Sequence, residues 1–320
     1  MREIIIKKND AGQRLDKFIT KSIPSMPTSF MYKAIRTKKI KVNRKRAEQK
    51  QILAEGDILQ LFVSEEFFFT GEKDNSALSR IKPNITVVYE DENILLANKR
   101  PGVLVHDDEA GNENTLITHI QAYLYQKGEY DPASEQSFAP ALCNRIDRNT
   151  GGIVIAAKTA MALRVMNEKI KKNEISKFYL CVVHGLLHKK KDTLHGYLIK
   201  NSADNMVRVF DKKPRESGAK EIITKYRVIS EKNDRSLLEV ELVTGRTHQI
   251  RAHMAHIGHP LLGDGKYGVN RDDKREGYKY QALYAYRLRF DFGEELSELD
   301  YLKGKTFELD QNDIWFVNEF

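Results

Sequence analysis

One short stretch of the chain places a single carboxylate between two cations. In ALCNRIDRNTGGIVIAAK (residues 141–158), Asp147 lies between Arg145 and Arg148, and a glycine pair and an apolar run follow. Two interpretations fit these residue types: a solvated turn held by salt bridges, or an acid kept ionised for chemistry. Burial alone disfavours a charged carboxylate, whereas a cation a few ångströms away favours it. Taken alone, the salt-bridged turn is the better interpretation, and the spacing specifies no reaction.

Two further segments carry side chains capable of chemistry. SKFYL (residues 176–180) places Tyr179 in a strand, where an ordinary structural tyrosine is the simplest interpretation. TGRTHQIRAHMAHIGHPLLGD (residues 244–264) combines arginines, histidines and a final aspartate. We predict a helix in this segment, with Thr247 as its N-cap and Gly258 in the left-handed position at its C-terminal end.

The histidines of that helix suggest a metal site as one interpretation. His253 and His256 are three residues apart and would share a helix face. The segment has no HExxH arrangement, however, and Asp264, the nearby acid, follows a proline and a glycine turn. Packing is therefore favoured over a metal. The chain also lacks GxSxG and GxxxxGK[ST], so we expect neither a serine nucleophile nor a nucleotide cofactor.

The composition is that of a soluble globular protein. The chain has 320 residues, 41% hydrophobic and 31% charged, which suits one large domain plus a small one rather than a disordered chain. No apolar run approaches the ~18 residues that a membrane helix requires, and MREIIIKKND does not have the pattern of a signal peptide. Cys143 and Cys181 are the only cysteines, too few for a disulfide framework, so we expect a reducing cytoplasm.

The positive charge is concentrated in one segment. The net charge is +8, and residues 31–50 alone hold nine Lys or Arg against one Glu. Residues 291–320, by contrast, hold nine acids and two lysines. A solvated helix face is the alternative interpretation, but this sign imbalance favours binding of a polyanion, with an affinity that falls as salt rises.

The hydrophobic pattern divides the chain into two domains. Apolar residues recur at helical spacing in residues 13–24 and 28–35, and strand-like segments follow them. We predict a small domain over 1–65, a linker over 66–84 and a large domain over 85–320. In the large domain strands outnumber helices and several are joined directly, which indicates an α+β fold with a mixed sheet.

Taken together and in order, NRIDRNTGGIVIAAK, SKFYL and TGRTHQIRAHMAHIGHPLLGD resemble the three motifs of the RluA-type pseudouridine synthases. YEDENILLANKRPGVLVH resembles the entry strand and lysine-proline-glycine turn of that family, so the likeness covers residues 84–292. Residues 13–62 resemble the alpha-L RNA-binding domain, a companion of the ribosomal branch of the family. The resemblance implies a central mixed, largely antiparallel sheet flanked by helices and loops, joined to a small alpha-L domain.

The resemblance also implies roles by motif position. Asp147 matches the essential aspartate, Tyr179 the active-site tyrosine and Arg251 the arginine that pairs with the aspartate. Arg145 matches a residue implicated in occupying the space of the extruded base. The other expected contacts are with substrate (Arg148, Arg246, His248 and Gln249) and, in the N-terminal domain, with RNA (Arg14, Lys33, Arg36, Lys38, Lys39, Lys41, Arg44, Lys45 and Arg46).

The implied reaction isomerises uridine in RNA. It moves the ribose from a ring nitrogen to ring carbon 5, so a carboxylate beside the electron-poor anomeric carbon is useful. The base must first be flipped out of its helix, at a cost of a few kcal/mol, which Arg145 would offset by stacking. Tyr179 would stack on the uracil or act as a base, and Arg148 would contact phosphate or serve as a structural partner. No metal or organic cofactor is expected, since there is no redox change.

The expected substrate is large-subunit ribosomal RNA, and two alternatives remain open. One is the same reaction on transfer RNA. The other is a non-catalytic RNA-binding or ribosome-assembly factor, because Asn144 and Ile146 stand where the family commonly has His and Leu. We further expect a cytoplasmic protein with no membrane association and no obligate protein partner.

Overall fold

The computed structural model describes residues 1–68, 76–106, 114–201 and 206–320. The chain forms two compact units, one of Met1–Asn84, Ile117–Ala141 and Ala157–Arg164, and the other of Ile85–Leu116, Leu142–Ala156 and Val165–Phe320. Part of the predicted linker, residues 69–75, lies outside the described residues. The domain limits 1–65, 66–84 and 85–320 therefore stay a prediction.

Two short helices and a small antiparallel sheet form the N-terminal part. In chain order the elements are β1 (Arg2–Ile5), α1 (Leu15–Ser22), α2 (Thr28–Arg36), β2 (Ile40–Val42), β3 (Lys45–Arg46), β4 (Ile58–Leu61), a 3-10 turn (Glu65–Phe68) and α3 (Ser76–Arg80). The strand order is β1-β4-β2-β3. Both predicted helices are present because their apolar residues fall on one face, so that Leu15 and Phe18 of α1 share a buried core with Met31 and Ile35 of α2.

The rest of the chain is dominated by strands. In order it contains β5 (Thr86–Glu90), β6 (Ile94–Lys99), α4 (Leu116–Gln126), β7 (Ala141–Leu142), β8 (Gly151–Ala157), α5 (Ala160–Lys171), β9 (Ile175–His184), β10 (Lys191–Asn201), β11 (Met206–Phe210), β12 (Lys220–Lys232), β13 (Arg235–Leu242), α6 (Gln249–His256), α7 (Arg271–Arg275), β14 (Leu283–Phe290) and β15 (Thr306–Glu308). Short 3-10 turns occur at Asp300–Leu302, Gln311–Asp313 and Val317–Glu319. Within the described ranges, no helix has the length and hydrophobicity needed to cross a bilayer.

These eleven strands, β5 to β15, form one mixed sheet. Its order is β11-β10-β12-β13-β9-β14-β8-β6-β5, with β15 beside β14 and β7 beside β8. Pairing from β11 through to β14 is antiparallel, whereas β14 and β8 run parallel. The predicted α+β class with a largely antiparallel mixed sheet is therefore confirmed.

The glycine pair after Asp147 is required by the parallel contact between β8 and β14. Gly151 lies opposite Tyr284, and Gly152 opposite Ala285. A Cβ on Gly151 would come 2.2 Å from the Tyr284 ring, and one on Gly152, whose φ is +120°, would come 2.2 Å from the Ala285 carbonyl oxygen. The two glycines thus permit the strand contact that fixes where the Asp147 loop meets the sheet.

One acid of the sheet is buried. In β13, apolar residues alternate with Glu239 and Glu241 in a pattern typical of a half-exposed strand, yet Glu239 is only 9% exposed. Its carboxylate accepts hydrogen bonds from Arg227 Nε (2.7 Å), Arg287 Nη2 (2.9 Å) and the Tyr286 hydroxyl. Burial alone would raise the pKa of Glu239, but these partners hold it below its ordinary value. Cations on β12 and β14 thus allow an acid to sit inside the sheet.

Candidate active site

The structure brings Asp147 and Arg251 together from distant parts of the sequence. Asp147 lies in the loop before β8, and its side chain is 26% exposed. Arg251, on α6, is nearly buried, and its Nη1 donates to Asp147 Oδ2 at 2.8 Å. The cation beside the carboxylate is therefore one that lies 104 residues away in sequence, not one of the flanking arginines.

A second carboxylate holds Arg251 in place. Arg251 Nε donates to Asp264 Oδ2 at 2.7 Å and Nη2 to Asp264 Oδ1 at 2.9 Å, the two-pronged geometry typical of arginine and carboxylate. Burial opposes the charge of Arg251, but the hydrogen bonds and charges of Asp264 and Asp147 outweigh it and raise the pKa of the guanidinium. Burial likewise opposes the charge of Asp264, whose pKa is nevertheless lowered, chiefly by Arg251.

This role of Asp264 was not predicted from the sequence. Asp264 was expected only as a poor metal ligand, although the acid ends the same motif and lies 13 residues after Arg251. A signal was present, because a buried arginine requires a partner and Asp264 was the only acid in residues 244–264.

Tyr179 lies in the same region as Asp147. It is on β9, between Val240 of β13 and Ala285 of β14, and it is 7% exposed. Burial raises the pKa of the Tyr179 phenol, and the negative charge of Asp147 raises it further. The tyrosine is therefore neutral near pH 7 and keeps its hydroxyl proton.

A buried lysine anchors the Asp147 loop. Lys99, at the end of β6, is 1% exposed. Its Nζ donates to the carbonyl oxygens of Arg100 (3.0 Å), Val103 (2.8 Å) and Arg148 (2.9 Å). Burial lowers the pKa of Lys99 to about 7, and Asp147 opposes the shift. The lysine thus joins the lysine-proline-glycine turn to the loop that carries the carboxylate.

The two arginines flanking Asp147 are exposed. Arg148 Nε donates to the Gly102 carbonyl at 3.1 Å, and the Arg148 carbonyl accepts from Gly102 N at 2.9 Å. Arg148 is thus bound to the turn after β6, which agrees with the expected role of Arg148 as a structural partner. Arg145 projects into solvent, where its guanidinium is accessible to a ligand.

Gln249 is enclosed by hydrogen bonds within the protein. It is 2% exposed, and its side-chain oxygen accepts from Thr244 Oγ1 at 2.9 Å and from Arg246 N at 3.1 Å. Its amide nitrogen donates to the Ile223 carbonyl and to Thr224 Oγ1. This placement favours a structural anchor over the expected substrate contact. The loop it anchors carries Arg246, whose side chain is exposed.

The start of α6 differs from the prediction by one residue. The helix begins at Gln249, and its N-cap is His248, not Thr247. His248 has φ +53°, a left-handed conformation that is uncommon outside glycine. At the other end Gly258 has φ +86°, as predicted. The unusual backbone of His248 turns its side chain towards the Asp147 region, where Nε2 lies 3.7 Å from Asp147 Oδ2.

The remaining histidines of this segment have separate partners. His253 Nδ1 lies 3.0 Å from Thr224 Oγ1, and burial lowers the pKa of His253 to about 4. His256 pairs with Asp211, and His259 Nδ1 donates to the His184 carbonyl. In the part of the chain that the structure describes, no group of three or more His, Cys, Asp or Glu is arranged to hold a metal ion.

The N-terminal cations lie mostly on the surface. Arg14 is an exception, because it forms a two-pronged pair with Asp16, and Lys41 is another, half-buried with its ammonium 5.3 Å from the Phe62 ring centre. The other predicted RNA contacts are exposed: Lys33, Arg36, Lys38, Lys39, Arg44, Lys45 and Arg46.

Comparison with known structures supports the fold. The chain superimposes on human RNA pseudouridylate synthase domain containing 1 with a TM-score of 0.54 at 20% identity, covering 72% of this chain and 92% of that one. Human RNA pseudouridylate synthase domain containing 4 gives the same TM-score at 21% identity, covering 74% and 90%.

Sequence comparison identifies the family. An uncharacterized RNA pseudouridine synthase of Mycoplasma genitalium is 32% identical over 90% of this chain and 88% of its own length. Ribosomal large subunit pseudouridine synthase C of Vibrio vulnificus is 31% identical over 89% and 87%. The sequence model of the RNA pseudouridylate synthase family matches residues 93–256. The chain therefore belongs to the RNA pseudouridylate synthase family, in its RluA-type branch, and is an isomerase that acts on RNA.

Proposed function

We propose that this enzyme converts specific uridines of large-subunit ribosomal RNA to pseudouridine, with Asp147 as the essential carboxylate. The observation that carries the site assignment is the Arg251 guanidinium, which is locked by Asp264 and donates its remaining nitrogen to Asp147. The ribosomal target is supported by relatives from several Vibrio species that are named ribosomal large subunit pseudouridine synthase C.

The reaction is an isomerisation in which atoms and electrons balance within the nucleoside. The bond from ring nitrogen 1 to the anomeric carbon breaks, the uracil turns, and carbon 5 bonds to the anomeric carbon. Carbon 5 loses a proton and nitrogen 1 gains one. The Asp147 carboxyl group, held by the nearly buried Arg251, lies ready for the electron-poor anomeric carbon.

The other side chains divide the work of binding. Tyr179, buried and neutral, offers a flat face to the uracil and a hydroxyl near carbon 5. The exposed guanidinium of Arg145 fills the space that the flipped base leaves. Exposed Arg246 contacts phosphate, whereas Arg148 and Gln249 hold the loops.

The exposed cations of residues 33–46 supply much of the RNA affinity, because phosphate contacts position an RNA without reading its sequence. This assigns residues 1–65 to RNA binding as an alpha-L domain. We place the enzyme in the cytoplasm, where ribosomal RNA is its partner and no obligate protein partner is required.

Pseudouridine mapping tests the proposal. Cells lacking the protein are complemented with wild type, Asp147→Asn or Asp211→Asn, the last being a matched change at a carboxylate that is 85% exposed. We expect large-subunit sites to disappear and to return with wild type and Asp211→Asn only. If transfer RNA sites were lost instead, the substrate would be transfer RNA. If Asp147→Asn restored the sites, Asp147 would not be a catalytic residue.

A further inference from the structure

A chain of three hydrogen-bonding groups ends beside Asp147. Val207 N donates to the Tyr267 hydroxyl oxygen at 3.0 Å, and that oxygen lies 2.8 Å from His248 Nδ1. The two rings meet edge to face, with centres 5.6 Å apart. The other ring nitrogen, His248 Nε2, lies 3.7 Å from Asp147 Oδ2. That separation is too long for a hydrogen bond, so Asp147 acts on the Nε2 position only through its charge.

The arrangement selects one tautomer of His248. A neutral imidazole carries one N–H, at either Nδ1 or Nε2. Since the Tyr267 oxygen already accepts from Val207, its own proton is available for His248 Nδ1. At the other edge of the ring, the Asp147 carboxylate disfavours a bare lone pair on Nε2 and favours an N–H there. Both ends of the ring therefore favour the Nε2–H form.

The charges around His248 keep the ring neutral near pH 7. Burial lowers the pKa of His248, and the cations Arg251 and Lys266 lower it further. The carboxylates of Asp147 and Asp264 act in the opposite direction but do not reverse the shift. Of these four groups, Arg251 lies on α6, Asp264 and Lys266 lie in the loop after it, and Asp147 lies in the loop before β8.

We propose that Tyr267 is a positioning residue that fixes His248 as the Nε2–H tautomer, and that this N–H donates to a carbonyl oxygen of the target uracil. The proposal rests on the function proposed above. As the bond from nitrogen 1 to the anomeric carbon breaks, its electron pair passes to the uracil, whose carbonyl oxygens take up negative charge. A fixed neutral donor stabilises that charge in a largely dry site without giving up its proton.

The tautomer is tested without RNA. In the full chain labelled with ¹⁵N-histidine, ring nitrogen shifts report which nitrogen carries the proton, and His248→Gln identifies the signal. We expect Nε2–H at pH 7 in wild type and a mixture of tautomers in Tyr267→Phe. An Nδ1–H or doubly protonated His248 in wild type would overturn the proposal, whatever RNA the enzyme modifies.

The donor role is tested by single-turnover kinetics on the RNA found by mapping. We expect His248→Leu to lower the rate constant about 100-fold with RNA affinity nearly unchanged, as for loss of one oxyanion donor. His248→Gln keeps an amide donor at a comparable reach and should retain more activity than Leu. Equal rate constants for wild type and His248→Leu would exclude His248 as a hydrogen-bond donor to the uracil.

Tyr267→Phe provides a readout that a purely structural role would not give. Removing the hydroxyl takes away a donor that stabilises neutral His248, so the pKa of the ring rises. As the pH is lowered, Tyr267→Phe should therefore lose activity at a higher pH than wild type does. The matched controls are Tyr226→Phe, whose hydroxyl bonds to the Lys189 carbonyl, and His256→Leu, whose ring pairs with Asp211. Both should keep the wild-type rate and pH profile, and an unshifted profile in Tyr267→Phe would exclude the positioning role.

Discussion

Arg251 divides one positive charge between two carboxylates of different exposure. It binds buried Asp264 through two nitrogens and Asp147 through one. A buried ion pair stabilises a protein only when its remaining hydrogen-bonding positions are also filled, and here backbone N–H groups of Lys266 and Tyr267 complete Asp264. Arg251 is therefore fixed by Asp264, and its remaining nitrogen orients Asp147.

Lys99 makes stability depend on pH in a definite direction. Its pKa falls from 10.5 in the unfolded chain to about 7 in the folded protein, because burial disfavours the ammonium. Between these values the unfolded chain binds more protons, so the free energy of unfolding should rise as pH increases from 7 towards 10. Below pH 7 both states are protonated and this contribution becomes constant.

Urea unfolding of wild type and Lys99→Met at several pH values between 6.5 and 10 measures this effect. The variant lacks the titrating group, so the difference between wild type and Lys99→Met should grow with pH, by at most about 1.4 kcal/mol per pH unit. Lys17→Met, at an exposed lysine, should behave as wild type. Parallel curves for wild type and Lys99→Met would mean that Lys99 keeps its proton throughout.

At the same scale, the sequence predicted which residues lie close together better than it predicted the hydrogen bonds around them. The motifs identified Asp147, Arg251 and Tyr179 as one site, and the structure brings them together. Asp264 and Tyr267 were missed as partners, because their roles depend on contacts created by folding. The flanking arginines suggested themselves as partners only when Asp147 was considered alone. The motif position of Arg251 predicted a pair with Asp147, and the two side chains are hydrogen-bonded.

At the scale of elements, local periodicity was sufficient for the helices and for the buried strands. The apolar faces of α1 and α2 and the continuous apolar run of β8 were recognised because each pattern is complete within a few residues. β10 and β12 were not predicted, since charged residues interrupt their alternation and their pairing joins segments far apart in sequence. The burial of Glu239 likewise depended on cations from β12 and β14.

The parallel contact between β8 and β14 gives a prediction for the glycine pair. Gly151→Ala brings a methyl group against the Tyr284 ring, and overpacking of this kind costs about 1–3 kcal/mol or more. Tyr284→Val removes the ring, so the double variant should be more stable than the sum of the two single effects predicts. Urea unfolding of the two single variants and the double variant measures this coupling.

Gly152→Ala is the matched control, because its added methyl meets the Ala285 backbone rather than a side chain. Tyr284→Val should not relieve the clash between this methyl group and the Ala285 backbone, so the destabilising effects of Gly152→Ala and Tyr284→Val should add. If Gly151→Ala alone had wild-type stability, that result would contradict the close contact between Gly151 of β8 and Tyr284 of β14.

At the scale of the whole molecule, the acidic C-terminal segment is part of the core rather than a solvated tail. Ile314 and Phe316 are at most 1% exposed and share a buried cluster with Phe178, Leu180 and Tyr286 of the sheet. The acids of this segment therefore stay close to the large sheet, while the densest positive charge lies in residues 31–50. The cations of residues 31–50 belong to the unit of Met1–Asn84, Ile117–Ala141 and Ala157–Arg164, and the acids of residues 291–320 belong to the other unit.

The exposed cations of residues 33–46 predict how RNA binding responds to salt. Lys33, Lys39 and Lys45 are exposed and lack the positive φ of Lys38 and Arg44, so changing all three to Gln removes charge without altering an unusual backbone. Each phosphate contact contributes about 0.7 to the slope of log affinity against log salt for single-stranded RNA, so the triple variant should lose about 2 from that slope.

Filter binding from low to high salt measures the slope, with a triple Gln change at Arg271, Lys274 and Arg275 of α7 as control. These cations are exposed but alternate with acids, so their removal should leave the slope unchanged. The single-turnover rate constant at saturating RNA should equal that of wild type in both variants, because neither change touches Asp147 or Arg251. Equal loss of slope in both variants would mean that RNA responds to net charge alone, and the N-terminal cations would not form a specific binding surface.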